Sequence, residues 1–283
     1  MDTDNLPIFA EGYHHQIFDA GRFLIKKYRS KQVLQKEVNI IRNLDENTTL
    51  PIPKIHEADS NSLLVKMTKL KGTPAKKAIK QNPTIEKTIL KAVCKARKQM
   101  ANTTFSQFGI LNQDMEIEQG FNTATQFYTH LFKKYLQAKH LSPTLKKQAK
   151  KFWDKNKNVY EIEQGPVLRH GDSNLDNYLI QDKKLVGIVD FEHAQSATTL
   201  NDWFMTKRDE YDNDVIIKTM TGNNLNKDYN KIIQLYKLLQ HTKYLYNLPY
   251  LKWRNLNEEK TKERKKQLKQ TAKNTIQKIT QQK

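Results

Sequence analysis

The chain has 283 residues, 37% of them hydrophobic, and 49 Lys+Arg against 30 Asp+Glu give a formal net charge of +19. That length supports a real core in one large domain or two lobes, and nine glycines and eight prolines are too few for a collagen-like or low-complexity chain. No apolar run approaches the ~20 residues of a membrane-spanning helix, the N-terminus MDTDNLPIFAEGYHH carries acids where a signal peptide carries bases, and the single cysteine, Cys94, cannot form a disulfide within the chain. The expectation is a cytoplasmic protein in which Cys94 is a small buried hydrophobe.

The first part of the chain reads as strands. IFAEGYHHQIFDAGRFLIKKY is rich in Phe, Ile, Tyr and Leu, and Asp19-Ala20-Gly21 can turn a hairpin. KQVLQKEVNIIRNL then puts Val33, Leu34, Val38, Ile41 and Leu44 on one helical stripe. Pro51 and Pro53 make LPIPKIHEA extended, and SLLVKMTKL is a further strand. After Thr73-Pro74 the pattern becomes helical: PTIEKTILKAVCKARKQMA with Pro83 in its first turn, NTATQFYTHLFKKYLQAKHL, and SPTLKKQAKKFWDKNKNVYEIE with Ser142 and Pro143 as cap and first residue. NKDYNKIIQLYKLLQHTKYLYNL and a basic tail close the chain as helices, the tail having Leu268, Ala272, Ile276 and Ile279 at helical spacing. The basic excess reads as solvated helix faces, with a nucleic-acid or anionic-membrane contact as the alternative.

Polar chemistry concentrates in LRHGDSNLDNYLI, residues 168–180, and the segment after it. YLIQ and LVGIVDF are strand-like and flank the polar turn Asp182-Lys183-Lys184. Pairing them with Gln181 near Leu185 brings Asn177 to the neighbourhood of Val189 and Asp190, since paired residues lie ~5 Å apart. Asp172, one loop upstream, reaches the same place. Two carboxylates and an amide oxygen suit Mg²⁺ with phosphate oxygens completing its shell. Asp, then Asn five positions on, then a hairpin and a second Asp is the order used in protein kinases, where the first Asp orients the attacking hydroxyl and the others hold metal.

His170-Gly171-Asp172, Asn177 and Ile188-Val189-Asp190-Phe191 resemble the aminoglycoside phosphotransferase and choline kinase superfamily, and the resemblance runs from the first lobe to about Asp202. It implies an α+β, bilobal protein-kinase-like fold: a small β-rich nucleotide-binding lobe over residues 1–71 and a larger, mainly helical lobe over 72–283, ending in a basic helix at 257–283. It makes Asp172 the catalytic base or hydroxyl-orienting group and Asn177 and Asp190 the metal ligands. Lys26, in FLIKKYRS, becomes the phosphate-binding lysine, with adjacent Lys27 as the alternative, and Glu37 its helix partner. Backbone groups of Met67, Thr68 and Lys69 meet the adenine, and His170 and Asp202 brace the catalytic loop. Asp209, Glu210, Asp212 and Asp214 could hold a cationic substrate, or simply start a solvated helix. Asp176 receives no role. The implied activity is transfer of the γ-phosphoryl group of ATP or GTP, with Mg²⁺, to a hydroxyl of an aminoglycoside or macrolide antibiotic, or of a choline-like, amino-alcohol or sugar metabolite. A monomer is the default. A catalytically inactive pseudokinase, or a polyanion-binding protein using the basic tail, is the competing class.

Overall fold

The computed structural model describes residues 1–11, 15–172, 174–204, 213–222, 227–251 and 257–281. Two compact units result. The first takes Met1–Gly120, Gly165–Asp202 and the described part of 209–224; the second takes Phe121–Gln164 and the described parts of 203–208 and 225–283.

The first unit opens with β1 (Ile8–Glu11), β2 (His15–Ala20) and β3 (Phe23–Tyr28), followed by helix α1 (Lys31–Asn47), β4 (Ile55–Asp59) and β5 (Leu64–Thr68). These strands form one antiparallel sheet in the order β1-β2-β3-β5-β4. The β2–β3 turn is tight because Gly21 takes a φ of +74° and the Asp19 carboxylate accepts its N–H at 3.0 Å. The helical stripe read from the sequence packs as expected: Leu34 and Val38 of α1 join Tyr28, Val65 and Met67 in one buried cluster. At the end of β3 the side chains alternate, with Lys26 and Tyr28 buried and Lys27 between them exposed.

Next come β6 (Thr73–Pro74), α2 (Ala75–Gln81), α3 (Glu86–Met100) and β7 (Gly109–Ile110). The short helix α2 is an element the sequence reading passed over. Its AKKAIKQ has only Ala75 and Ile79 to bury, too few apolar positions to register as a periodic stripe. Pro83 sits in a 3₁₀ turn that leads into α3, capped by the Asn82 side chain.

The second unit contributes α4 (Ala124–Tyr135) and α5 (Pro143–Asn156). Ser142 caps α5 by accepting the Leu145 N–H, with Pro143 in its first turn. The chain returns to the first unit as β8 (Val167–Arg169), β9 (Tyr178–Gln181), β10 (Lys184–Ile188) and β11 (Gln195–Ala197), followed by α6 (Asn201–Phe204) and α7 (Asn213–Thr221). It ends in the second unit with α8 (Lys227–Asn247) and α9 (Glu258–Gln281). There Tyr128, Tyr160 and Tyr236 meet in a fully buried aromatic cluster, and the Trp153 indole stacks on Phe132 at 4.2 Å. Ala272, Ile276 and Ile279 of the basic tail are buried and its lysines lie on the other faces. No helix among the described residues is long and apolar enough to cross a membrane. Cys94 is buried in α3, and that burial pushes its thiol up to about 12.

Candidate active site

The site is built on the β9–β10 hairpin and the loop that precedes it. Asp182 and Lys183 both take positive φ, 49° and 62°, so they form a two-residue turn of the primed kind, whose twist matches the strands. Gln181 therefore pairs with Lys184, not with Leu185 as the three-residue turn read from the sequence required. A bulge between Leu185 and Gly187 takes up the difference. The Val189 N–H then donates to the Asn177 carbonyl at 3.0 Å, which leaves Asn177 beside Val189 and Asp190 as expected.

Asp190 has a φ of +71°. For a non-glycine residue that conformation is strained by roughly 1 kcal/mol or more. What holds it is the pairing on either side: Val189 to Asn177, and the Phe191 N–H to Glu37 Oε1 at 3.2 Å. Its carboxylate accepts from Lys26 Nζ at 2.9 Å, while its side chain stays 26% exposed toward a cleft. Lys26 Nζ also donates to Glu37 Oε2 at 2.8 Å, and Tyr28 Oη donates to the same oxygen at 2.9 Å. Burial opposes charge on Lys26, but Glu37 and Asp190 outweigh it and raise the ammonium above the ordinary lysine range. Burial likewise opposes charge on Asp190, and Lys26 outweighs it, lowering the carboxyl.

The loop 170–177 is pinned from behind. Asp202 accepts the N–H groups of His170 and Gly171 at 3.0 and 2.9 Å. Arg169 Nη2 lies 2.9 Å from Asp202 Oδ2, both side chains fully buried, in a charge contact off the line of a good hydrogen bond. The His170 Nε2–H donates to the Val189 carbonyl at 2.9 Å, and its ring lies against Phe191. Gly171 takes a φ of +78°, and a Cβ there would stand 1.7 Å from the His193 carbonyl oxygen, so only glycine fits. From α3, Arg97 reaches both ends of the loop: its carbonyl accepts from Arg169 Nη1 at 3.2 Å and its Nε donates to Tyr178 Oη at 2.8 Å. Asp172 is oriented by the Asn177 amide, whose Nδ2 donates to Asp172 Oδ2 at 3.1 Å, and by the Asn174 N–H at 3.2 Å. With Nδ2 so directed, the Asn177 amide oxygen points away from Asp172.

Above these groups lies a cleft of about 380 Å³ within the first unit. It is lined by the apolar side chains Ile17, Leu24, Met67, Leu70 and Leu179 and by the polar groups His15, Lys26, Glu37, Asn177 and Asp190. Met67 and Thr68 line it. Lys69 is not among the lining residues; its ammonium pairs with Asp19 at 2.6 Å and its N–H donates to Arg22. Asp209, Glu210 and Asp212 lie outside the described residues, and Asp214 falls within α7.

Three features escaped the sequence reading. His15 begins β2, is buried, and its Nδ1 lies 3.3 Å from Glu192 Oε2. Burial opposes charge on Glu192, yet the His15 contact helps lower its carboxyl. One ligating atom each from His15, Asp190 and Glu192 falls within 4.8 Å of the others, so Glu192 puts a further carboxylate beside Asp190. Arg97 looked like one more basic residue of a lysine-rich helix. The only cue was the absence of an apolar residue at a position its helical stripe should bury. Asp176 is exposed and lines the cleft.

An antiparallel five-stranded lobe, a charged helix–strand pair, and a metal-competent hairpin reached through a pinned loop define a kinase-like phosphotransferase architecture. The match to a family model is in accord: residues 9–217 match the phosphotransferase enzyme family, APH, and the chain belongs to that family. Among solved structures, a thermostable mutant of the aminoglycoside phosphotransferase APH(4)-Ia, in ternary complex with AMP-PNP and hygromycin B, is 15% identical with a TM-score of 0.70, covering 99% of this chain and 94% of that one. The GDP and kanamycin complex of APH(2″)-IIIa is 14% identical with a TM-score of 0.68, covering 99% of this chain and 94% of that one. ADP-bound APH(2″)-Ib is 12% identical with a TM-score of 0.66, covering 98% and 95%. A search of curated proteins finds no match.

Proposed function

We propose that this protein transfers the γ-phosphoryl group of a nucleoside triphosphate to a hydroxyl of a small molecule, using Mg²⁺. The observation that carries this reading is the Lys26 ammonium held at 2.8 Å from Glu37 and 2.9 Å from Asp190, in a cleft that also presents a set of apolar side chains. An apolar slot suits a flat base, and a fixed ammonium suits phosphates. The related structures bound to AMP-PNP, ADP and GDP support a nucleotide ligand.

In this reading Lys26 binds the α- and β-phosphates, and Glu37 and Tyr28 fix its position. The donors at hand fit a hard divalent cation: the Asp190 carboxylate and the Asn177 amide oxygen, with the Glu192 carboxylate close by. Magnesium held there would neutralise phosphate charge. Asp172 takes the acceptor hydroxyl and orients its oxygen. His170 and Asp202 act through the loop, not on the substrate. Backbone groups near Met67 and Thr68 meet the base edge. Phosphoryl transfer needs mainly alignment and charge stabilisation, which is what a pinned loop and a fixed ammonium supply. The acceptor classes proposed are an aminoglycoside or macrolide hydroxyl, or a choline-like, amino-alcohol or sugar hydroxyl, in a cytoplasmic setting. The related complexes with hygromycin B and kanamycin favour the first class.

Thermal unfolding with and without MgATP tests the nucleotide and metal parts. Ligand at about 100 times its Kd stabilises by about 2.7 kcal/mol. The wild type should show a rise in Tm that needs both Mg²⁺ and ATP, and Asp190→Ala should lose the metal-dependent part. An unchanged rise in that variant refutes the metal assignment.

A further inference from the structure

We propose that Asp176 is the acceptor of the ribose hydroxyls of the nucleotide, a binding role for a residue so far without one. The proposal rests on the nucleotide reading of the cleft and adds a recognition element to it.

A nucleotide in this cleft must place its sugar between the apolar groups that take the base and Lys26, which takes the phosphates. Asp176 lines the same cleft. It immediately precedes Asn177, and its turn packs on β6, where Pro74 pairs with Leu179. The 3₁₀ turn Leu175–Asn177 that carries it is fixed by buried Leu175 and packs against β6 and α2. Asn174 caps that turn by accepting the Asp176 N–H. The backbone is therefore set while the side chain is exposed.

The other carboxylates of the cleft are engaged. Glu37 takes Lys26 and Tyr28, Asp190 takes Lys26, and Glu11 accepts from Gln16. The Asp176 carboxylate has no hydrogen bond or ion pair from the other described residues; only its backbone N–H is used. An ionised carboxylate only accepts, and its two oxygens can take two hydroxyl protons side by side. A vicinal diol is the match. Such a diol could belong to the nucleotide ribose or to a sugar acceptor, and nucleotide binding measured without acceptor separates them.

The experiment compares equilibrium binding of ATP and 2′,3′-dideoxy-ATP, each with saturating Mg²⁺, to wild type, Asp176→Asn and Asp176→Ala. The wild type should prefer ATP by about 10-fold or more, the scale of one or two charge-assisted hydrogen bonds. In Asp176→Ala the two nucleotides should bind within about 3-fold of each other, at the dideoxy level of the wild type, with Asp176→Asn between. An ATP preference that persists in Asp176→Ala overturns the proposal, as does a change confined to the Mg²⁺ requirement, which would make Asp176 a metal group. A wild type that binds both nucleotides equally sinks this role alone. A wild type that binds neither sinks the nucleotide reading and this role with it.

Discussion

Removing Asp202 should cost more stability than any exposed substitution in this chain, because the buried Arg169 guanidinium and two backbone N–H groups depend on one carboxylate. In Asp202→Ala the Arg169 guanidinium loses its partner at 2.9 Å while remaining fully buried. Breaking a buried pair from one side costs about 3–5 kcal/mol. The His170 and Gly171 N–H groups lose acceptors at 3.0 and 2.9 Å, at about 1–3 kcal/mol for each donor left unsatisfied. The sum, about 5–11 kcal/mol, is comparable to the whole stability of an ordinary domain, about 5–15 kcal/mol, so Asp202→Ala should accumulate largely unfolded. Asp202→Asn keeps one acceptor oxygen and should lose about 3–5 kcal/mol, read by urea unfolding. Adding Arg169→Met to Asp202→Asn should recover part of that loss, since the cycle removes both partners. Burial opposes charge on Asp202, but Arg169 and Arg97 outweigh it and lower its carboxyl. Its stabilisation is therefore fully present above the ordinary carboxylate pKa and is lost as pH falls through the lowered one, a limb that Asp202→Asn should lack. A loss below about 1 kcal/mol in Asp202→Asn, or no recovery with Arg169→Met, would refute this account of the loop.

Lys26→Met leaves Glu37 and Asp190 without their shared ammonium; MgATP affinity by calorimetry should fall about 10- to 100-fold, from the loss of a charged hydrogen bond worth about 1.5–3 kcal/mol. Gly171→Ala would drive a methyl into the His193 carbonyl at a φ of +78°, so phosphotransfer should drop at least about 10-fold or the protein should fail to fold, checked by turnover alongside circular dichroism. Burial lowers the Lys36 ammonium to about 8, against the opposing charges of Glu118 and Glu192. Lys36→Met should thus raise Tm most below pH 8, with the gain shrinking as pH climbs toward the ordinary lysine value, where charging no longer favours the unfolded chain.

Local pattern was enough for the strand–strand–strand–helix opening, because β-formers alternate there and α1 carries a full apolar stripe. It was also enough for the Asn177–Asp190 meeting, because a hairpin pairs neighbours in sequence. Two compensating features lay beneath that success: the primed turn at Asp182-Lys183 and the bulge before Gly187, which moved the register by a residue each way. The contacts that escaped are those made across long stretches of chain. His15 and Glu192 are 177 residues apart, and Arg97 and Tyr178 are 81 apart. No periodicity reports such pairs, since each partner looks locally like a surface residue.

The central claim is that Asp172 directs a hydroxyl at a nucleotide phosphate held by this cleft. It is tested most directly by ³¹P NMR of MgATP incubated with the protein and a panel of aminoglycoside, macrolide, amino-alcohol and sugar acceptors. The wild type should convert the γ-phosphorus signal into a phosphoester signal with at least one acceptor, and Asp172→Asn should slow that conversion by about 100-fold or more, the scale of a positioned general base. Undiminished conversion by Asp172→Asn, or no phosphoester with any acceptor despite MgATP binding, would contradict it.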